Sequence, residues 1–421
     1  MPQKLGIVFF PAYDWSIGPD HPEREERLLY TQDQLREEGL FDFPGIVESR
    51  PQVATDEDVL AAHIQPPGVE RLAGLPHLIS AGGAITCGRL VMSGECLKSF
   101  ALVRPPGHHA MRVVHGGRGF CNINNEAIMI ERLRREYGVR RVAIVDTDCH
   151  HGDGTQDIYW HDPDTLFISL HQDGRTLYPG SGFAGELGGP KALGSTINIP
   201  LPPETGDDGF LLAANMVVRP ILDEWKPELV VNSAGQDNHF TDPITNMRIT
   251  ARGYGALSDL INPDIAVLEG GYAIKGALPY LNLAIAMSMA GLDWTRVEEP
   301  LPSPAQLATS DRNMEYIRHL CGEIHKLRRK AVPERSGSRL EGRWWVRERS
   351  IYYDTHTLES EGGYGGAIHE HQREELFDCP NCPGLLVIHT RSEVSPPSVH
   401  YVLPHQPCEA CLRLKEDLSK T

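Results

Sequence analysis

One stretch, Arg141 to Gln156 (RVAIVDTDCHHGDGTQ), constrains this chain more than any other. Val142 to Val145 is a short apolar run of β-branched and small residues, the composition of a strand buried on both faces. The run then breaks into acid and imidazole. Asp146, Asp148 and His150 follow at i, i+2 and i+4, so in an extended chain their side chains leave one face. Gly152 and Gly154 end the strand and let the backbone pass close to whatever those side chains hold. With His151 and Asp153 alongside, this predicts a metal site rather than a solvated acidic turn.

The same pattern recurs along the chain. Ser99 to Val103 runs into RPPGHHA, whose prolines and glycine place His108 and His109 on a loop at a strand end. Thr165 to Leu170 empties into His171 and a loop through Tyr178, Leu229 to Asn232 into SAGQD, and Ile265 to Leu268 into EGGY. Helical patterns separate these runs, at Gly82 to Met92, after the Gly116 to Asn125 loop as far as Tyr137, and at Gly209 to Glu224. Ser195 to Leu201 alternates as a strand. Continuous apolar strands alternating with helices specify an α/β fold: a mostly parallel sheet with helices on both faces, and polar clusters past the carboxyl ends of its strands.

Composition narrows the setting. With 421 residues, net charge −17 and pI near 5.5, the chain is acidic, which argues against bulk binding of nucleic acid or anionic membrane by the main domain. Leu281 to Leu292, the longest apolar stretch, is too short to span a bilayer. The first ten residues lack the pattern of a signal peptide. The expectation is a soluble, cytoplasmic protein with reduced cysteines at Cys87, Cys96, Cys121, Cys149 and Cys321. Oligomeric state is not legible.

The polar clusters suit hydrolysis. Asp148, His150 and a carboxylate from another strand make a three-donor zinc site, and Asp237, after an apolar strand and a glycine turn, is the best third. Two carboxylates cancel the charge of the ion and leave it a Lewis acid. His108 and His109 need partners, for which Asp146 and Asp153 are the nearest unspent carboxylates. Such a pair can take a proton from water and return one to a leaving amine, and Tyr272 on its glycine loop can donate to a developing oxyanion. The donor set accepts iron as well as zinc.

RPPGHHA, GFCNINN, DTDCHHGDGTQ, ISLHQDGRTLYPGSG, NSAGQDNHFTDP and LEGGY together resemble the zinc-dependent histone deacetylase superfamily, with its acetylpolyamine amidohydrolases and acetoin-utilisation proteins. The resemblance runs from about Gly6 to Leu292. It implies the arginase-deacetylase fold and hydrolysis of acyl-amides. It makes Asp148, His150 and Asp237 the zinc ligands, His109 the general base and acid, His108 its electrostatic companion and Tyr272 the carbonyl-polarising phenol, with Asp146 paired to His108 and Asp153 to His109. It implies a potassium ion held by Asp146, Asp148, His150, Ser169 and Leu170, mostly through backbone oxygens. It makes Phe120 and Tyr178 aromatic walls of an acyl-lysine channel and Arg24 the arginine near a channel below the metal. Ile244 stands where polyamine-selective relatives carry a glutamate. That favours acyl-lysine in a peptide or protein over acetylpolyamine or another small acyl-amide.

Beyond residue 300 the composition changes. The expected division is a catalytic domain at 1–300, a helical and basic linker at 301–375, and a zinc-ribbon-like module at 376–415. Pro304 to Lys330 has helical periodicity. Arg335 to Arg349 is basic, read as a solvated face whose Trp344 and Trp345 pack on the main domain, and Tyr352 to Gly366 reads as a loop. Cys379, Cys382, Cys408 and Cys411 form two CxxC units around two strand-like segments, the spacing of a structural zinc site whose ion supplies folding energy. A competing reading makes the whole chain an acyl-lysine or partner-binding module recruited through this ribbon.

Overall fold

Eight apolar strands pair in parallel in the computed structural model, which describes residues 3–18, 20–64, 73–337, 343–354 and 367–420. They are β1 Gln3–Phe10, β2 Ile46–Ser49, β3 Cys96–Val103, β4 Val142–Asp146, β5 Thr165–Gln172, β6 Thr196–Leu201, β7 Leu229–Ala234 and β8 Ile265–Leu268. Their order is β2-β1-β3-β8-β7-β4-β5-β6. β7 and β8 are late in sequence but lie between β3 and β4. Loops from four neighbouring strands therefore open at one place, the carboxyl edge of the sheet.

Period-2 geometry divides each strand between two cores. Ala143 and Val145 join one apolar cluster with Leu5, Ile7 and Leu166, while Val142 and Ile144 join the other with Val8, Val103 and Val231. β6, expected to alternate, is buried along its whole length, because both faces of the sheet are covered. Helices Leu75–Met92 and Asn125–Tyr137 cover one face, and Ala251–Ile261 and Leu278–Met289 the other.

The C-terminal third departs from the sequence-based division. Helix Asp311–Gly337 inserts Ile317, Leu320, Cys321 and Ile324 into the main core. Four antiparallel strands follow: β9 Trp344–Tyr353, β10 Ile368–Phe377, β11 Leu385–Ser392 and β12 Ser398–Val402, in the order β12-β11-β10-β9. β9 and β10 fall where a linker was expected, and the expected loop has only residues 352–354 described, 355–366 lying outside the described residues.

Residues 343–349 of the basic run are solvated on one face only. Alternate residues of β9 point at the main body, where Arg349 pairs with Asp157, Arg347 bonds Glu374 at 3.1 Å and His161 meets Glu374 at 3.0 Å. Trp345 packs beside His161 with rings 5.4 Å apart, whereas Trp344 is 41% exposed. Met111 and Val113 of the main domain complete two small apolar clusters with Ile351, Tyr353 and Ile368 and with Leu376, Leu386 and Ile388.

Candidate active site

β3, β4, β7 and β8 each release one polar loop into the same buried space. β4 ends at Asp146, and the extended chain beyond it is pinned by its own carboxylates: Asp148 N–H donates to Asp146 Oδ1 at 3.0 Å, and His150 N–H to Asp148 Oδ1 at 2.9 Å. From β7, Asp237 reaches across. Its Oδ1 accepts from Cys149 N–H at 2.7 Å, and its Oδ2 lies 2.8 Å from His150 Nδ1. Gly270 N–H, after β8, donates to Asp148 Oδ2 at 2.7 Å.

The donor atoms of Asp148, His150 and Asp237 lie within 4.8 Å of one another, and all three residues are buried. Two hard carboxylate oxygens and one imidazole suit a divalent zinc and leave part of its coordination sphere for water or substrate. Backbone packing enforces the cradle. A Cβ at Gly235 would come within 2.0 Å of Asp148 Oδ2, and one at Gly270 within 2.5 Å of Asp237 Oδ2 and 2.6 Å of Asp148 Oδ2. Buried carboxylates concentrated this densely need a cation.

The two histidines on the β3 loop are fixed by the carboxylates expected for them. His108 Nδ1 is 3.1 Å from Asp146 Oδ2, and His109 Nδ1 is 2.7 Å from Asp153 Oδ1. Their rings lie 4.2 Å apart, but their surroundings differ. Burial lowers both. At His108 the carboxylates of Asp148 and Asp146 outweigh burial and raise the pKa well above the ordinary value. At His109 burial, reinforced by His108, brings it down to about 4. One imidazole is thus built to carry charge and its neighbour to stay neutral.

Tyr272 sits on the loop after β8, where Gly271 adopts φ +126° and Asp242 Oδ2 accepts from Tyr272 N–H at 2.8 Å. Burial raises its phenol well above the ordinary value against the pull of Arg27, so the group is a proton donor. The Phe120 ring lies 5.6 Å from the Tyr272 ring, and the Tyr178 ring 5.2 Å from that of His109. Tyr178 is 36% exposed, so the two aromatics run from the buried pair toward solvent. Ile244 is half-buried and donates its N–H to Asp242 Oδ1 at 3.1 Å, which ties it to the backbone of Tyr272.

Arg24 does not reach this space. It is half-exposed and pairs with Glu26 at 3.2 Å. The buried arginine is Arg27, whose Nε donates to Gly271 O at 2.7 Å and whose Nη2 donates to Glu269 O at 2.6 Å, with its guanidinium 4.9 Å from the Tyr272 ring. Glu23 balances it and also accepts from Arg104 Nε at 2.8 Å. Both arginines lie on or beside one turn, 24–28, and no spacing rule separates the inward one from the outward one. Two further groups escaped sequence reasoning. Glu269 Oε2 accepts the N–H groups of Gly107 and His108 at 2.7 and 3.0 Å, and Arg118 Nε bonds Asp153 Oδ2 at 3.0 Å.

Other sequence-derived positions are accounted for. Asp146 and Ser169 are register partners on β4 and β5, with Leu170 next along the strand, and Ser169 Oγ is 2.8 Å from His171 Nδ1. Cys149 is fully buried between two of the donors and faces the core, as a packed thiol does. About the second site, Cys379 Sγ lies 3.4 Å from Cys408 Sγ, and Cys382 Sγ lies 3.6 and 3.4 Å from those of Cys408 and Cys411.

Fold and site together define a metal-dependent hydrolase built on a parallel α/β sheet. The histone deacetylase domain family matches residues 69–286. A protein of Archaeoglobus fulgidus described as a probable deacetylase is 45% identical over 327 residues, covering 70% of this chain and 89% of that protein. The acetoin utilization protein AcuC of Bacillus subtilis is 31% identical over 326 residues, covering 68% of this chain and 82% of the other. The solved HDA15 HD domain superposes with a TM-score of 0.64 at 25% identity, covering 79% of this chain and 98% of that one. The chain belongs to the histone deacetylase family, an enzyme family of zinc-dependent deacetylases and amidohydrolases.

Proposed function

We propose that the protein hydrolyses the amide of an acylated lysine side chain in a peptide or protein. The observation that carries this reading is the convergence of Asp148, His150 and Asp237 with two imidazole–carboxylate pairs and one buried phenol. A zinc ion held by those three donors supplies Lewis acidity toward the carbonyl oxygen and water. His109, neutral and oriented by Asp153, takes the proton of the attacking water and returns it to the departing amine nitrogen. His108, charged and tied to Asp146, lowers the energy of the negative charge that builds up beside it. Tyr272 donates its phenolic proton in a hydrogen bond to the oxyanion.

Phe120 and Tyr178 line the route in. An extended methylene chain between flat rings gains roughly 25 cal/mol per Å² of apolar surface buried. At the rim, Ile244 offers a second ammonium no attraction, which supports acyl-lysine over acetylpolyamine. Asp146, Asp148, His150, Ser169 and Leu170 would hold a potassium ion that braces the β4–β5 edge, and Cys379, Cys382, Cys408 and Cys411 would hold a second zinc tying β10 and β11 to the terminal helix Glu409–Leu418.

Hydrolysis of an acetyl-lysine peptide and of acetylspermidine by wild-type protein and by His109→Ala tests the reading. The expected result is turnover of the peptide in preference to the polyamine, abolished in the variant while zinc remains bound. A preference for the polyamine, or near-normal rates without His109, overturns it.

A further inference from the structure

The histone deacetylase match ends at residue 286, yet the appended sheet reaches the catalytic rim. The last residues of β9 run beside the glycine-rich loop that carries Phe120. Asp354 N–H donates to Gly117 O at 3.0 Å, Arg118 Nη1 donates to Tyr352 O, and Gly119 N–H donates to Asp354 Oδ2 at 2.6 Å. The same carboxylate oxygen accepts from the phenol of Tyr178 at 3.2 Å. One side chain from outside the matched domain thus holds both aromatic walls, one through the backbone next to Phe120 and the other through the Tyr178 hydroxyl.

The turn it holds needs holding. Phe120 has φ +69° and Gly119 φ +51°, so a bulky aromatic residue occupies the left-handed region, which persists only where the surroundings fix it. A Cβ at Gly119 would lie 2.3 Å from the His109 ring, so the backbone is pressed against the imidazole. Within the loop the turn is closed by the Arg118–Cys121 backbone pair at 2.9 and 2.8 Å. Asp354 supplies the remaining N–H acceptor. Tyr178 lies on a long connection, and Asp354 is the partner recorded for its hydroxyl. A cavity of about 620 Å³ lined by Arg118, Asp153, Tyr178 and Tyr352 runs along this seam.

We propose that Asp354 is a positioning residue for substrate binding: it fixes the spacing of Phe120 and Tyr178, so the C-terminal sheet forms part of the acyl-chain channel. This rests on the reading of those two rings as channel walls. His109 takes its hydrogen bond from Asp153, which Asp354 does not touch, while Arg118 bonds both Asp153 and Tyr352 O and so links the walls to the proton relay. Walls that contact substrate equally before and during reaction affect KM and not kcat.

The test compares wild type, Asp354→Ala and Asp354→Asn on one acetyl-lysine peptide, with melting temperature and zinc content measured for each. Asp354→Ala is expected to raise KM about tenfold or more with kcat within about threefold of wild type. Asp354→Asn, which keeps an acceptor for Gly119 N–H and a partner for Tyr178, restores KM to within about threefold. An unchanged KM in Asp354→Ala overturns the proposal. So does a fall in kcat alone, or an Asn variant no better than Ala. Loss of activity in the wild type itself strikes the proposed function instead, which keeps the two failures apart.

Discussion

Two clusters in this chain gather metal-binding donors, and they differ at every level. Asp148, His150 and Asp237 are hard oxygen and nitrogen donors, buried where loops from a parallel sheet converge, and flanked by two imidazole–carboxylate pairs and a phenol. Cys379, Cys382, Cys408 and Cys411 are four sulfurs between a small antiparallel sheet and the terminal helix, with an apolar cluster around them. Three donors leave room for chemistry, and four soft ones close the sphere. The first site is held by a core that folds around it. The second would cross-link a sheet whose own apolar clusters are small.

The largest effect that could break this contrast is removal of a donor from the first site. Asp237→Ala is expected to lower kcat/KM by about 10⁴-fold or more and to remove one zinc per chain, leaving the cysteine-bound ion in place. Kinetics with metal analysis on one sample checks this. Tyr272→Phe keeps both ions and costs about 10²–10³ in kcat, the loss of one donor to the oxyanion.

Removing a donor from the second site should act differently. Cys408→Ser releases one zinc, lowers the melting temperature and loosens the sheet that carries Asp354, raising KM about tenfold while kcat falls less. Steady-state kinetics and thermal unfolding separate the two outcomes. A loss of kcat as complete as in Asp237→Ala would erase the distinction.

Acid should also tell the sites apart. The Cys408 thiol is drawn down to about 7 chiefly by hydrogen bonding from Cys411 N–H, and protons compete with a metal for the four sulfurs because only thiolates hold it. His109, lowered to about 4 by burial and by His108, stays neutral at mildly acid pH and remains able to accept a proton. Chelator competition at the cysteine site should therefore succeed more readily as pH drops from about 7 to 5, while the acid limb of kcat/KM lies below roughly 6.5, the ordinary histidine value. The smallest effect is expected at Cys149. Replacing it with Ala should leave metal content unchanged and cost about 1 kcal/mol, since this thiol packs in the core between donors of the first site.

What the sequence revealed follows the same division. The first site was legible because its chemistry is local: DTDCHHGDG concentrates acid and imidazole at the end of one apolar run, and RPPGHHA and SAGQD repeat that form. The order of strands was not, because nothing local says that β7 and β8 insert between β3 and β4. Arg27 and Arg24 are three residues apart on one turn, and only packing decides which faces Gly271. β9 and β10 were missed for a related reason. Arg347 and Arg349 read as solvated, yet with Glu370, Gln372 and Glu374 they are matched within the new sheet or by Asp157, His161 and His115 across the seam. An ionic strand interior looks like a surface until its partner is seen.

The contrast between the two clusters requires two ions in two unlike places. Anomalous diffraction at the zinc edge from crystals of the wild-type protein should give two peaks per chain, one bounded by Asp148, His150 and Asp237 and one among the four cysteines. A single peak at the cysteines, from protein that hydrolyses an acetyl-lysine peptide, would contradict it.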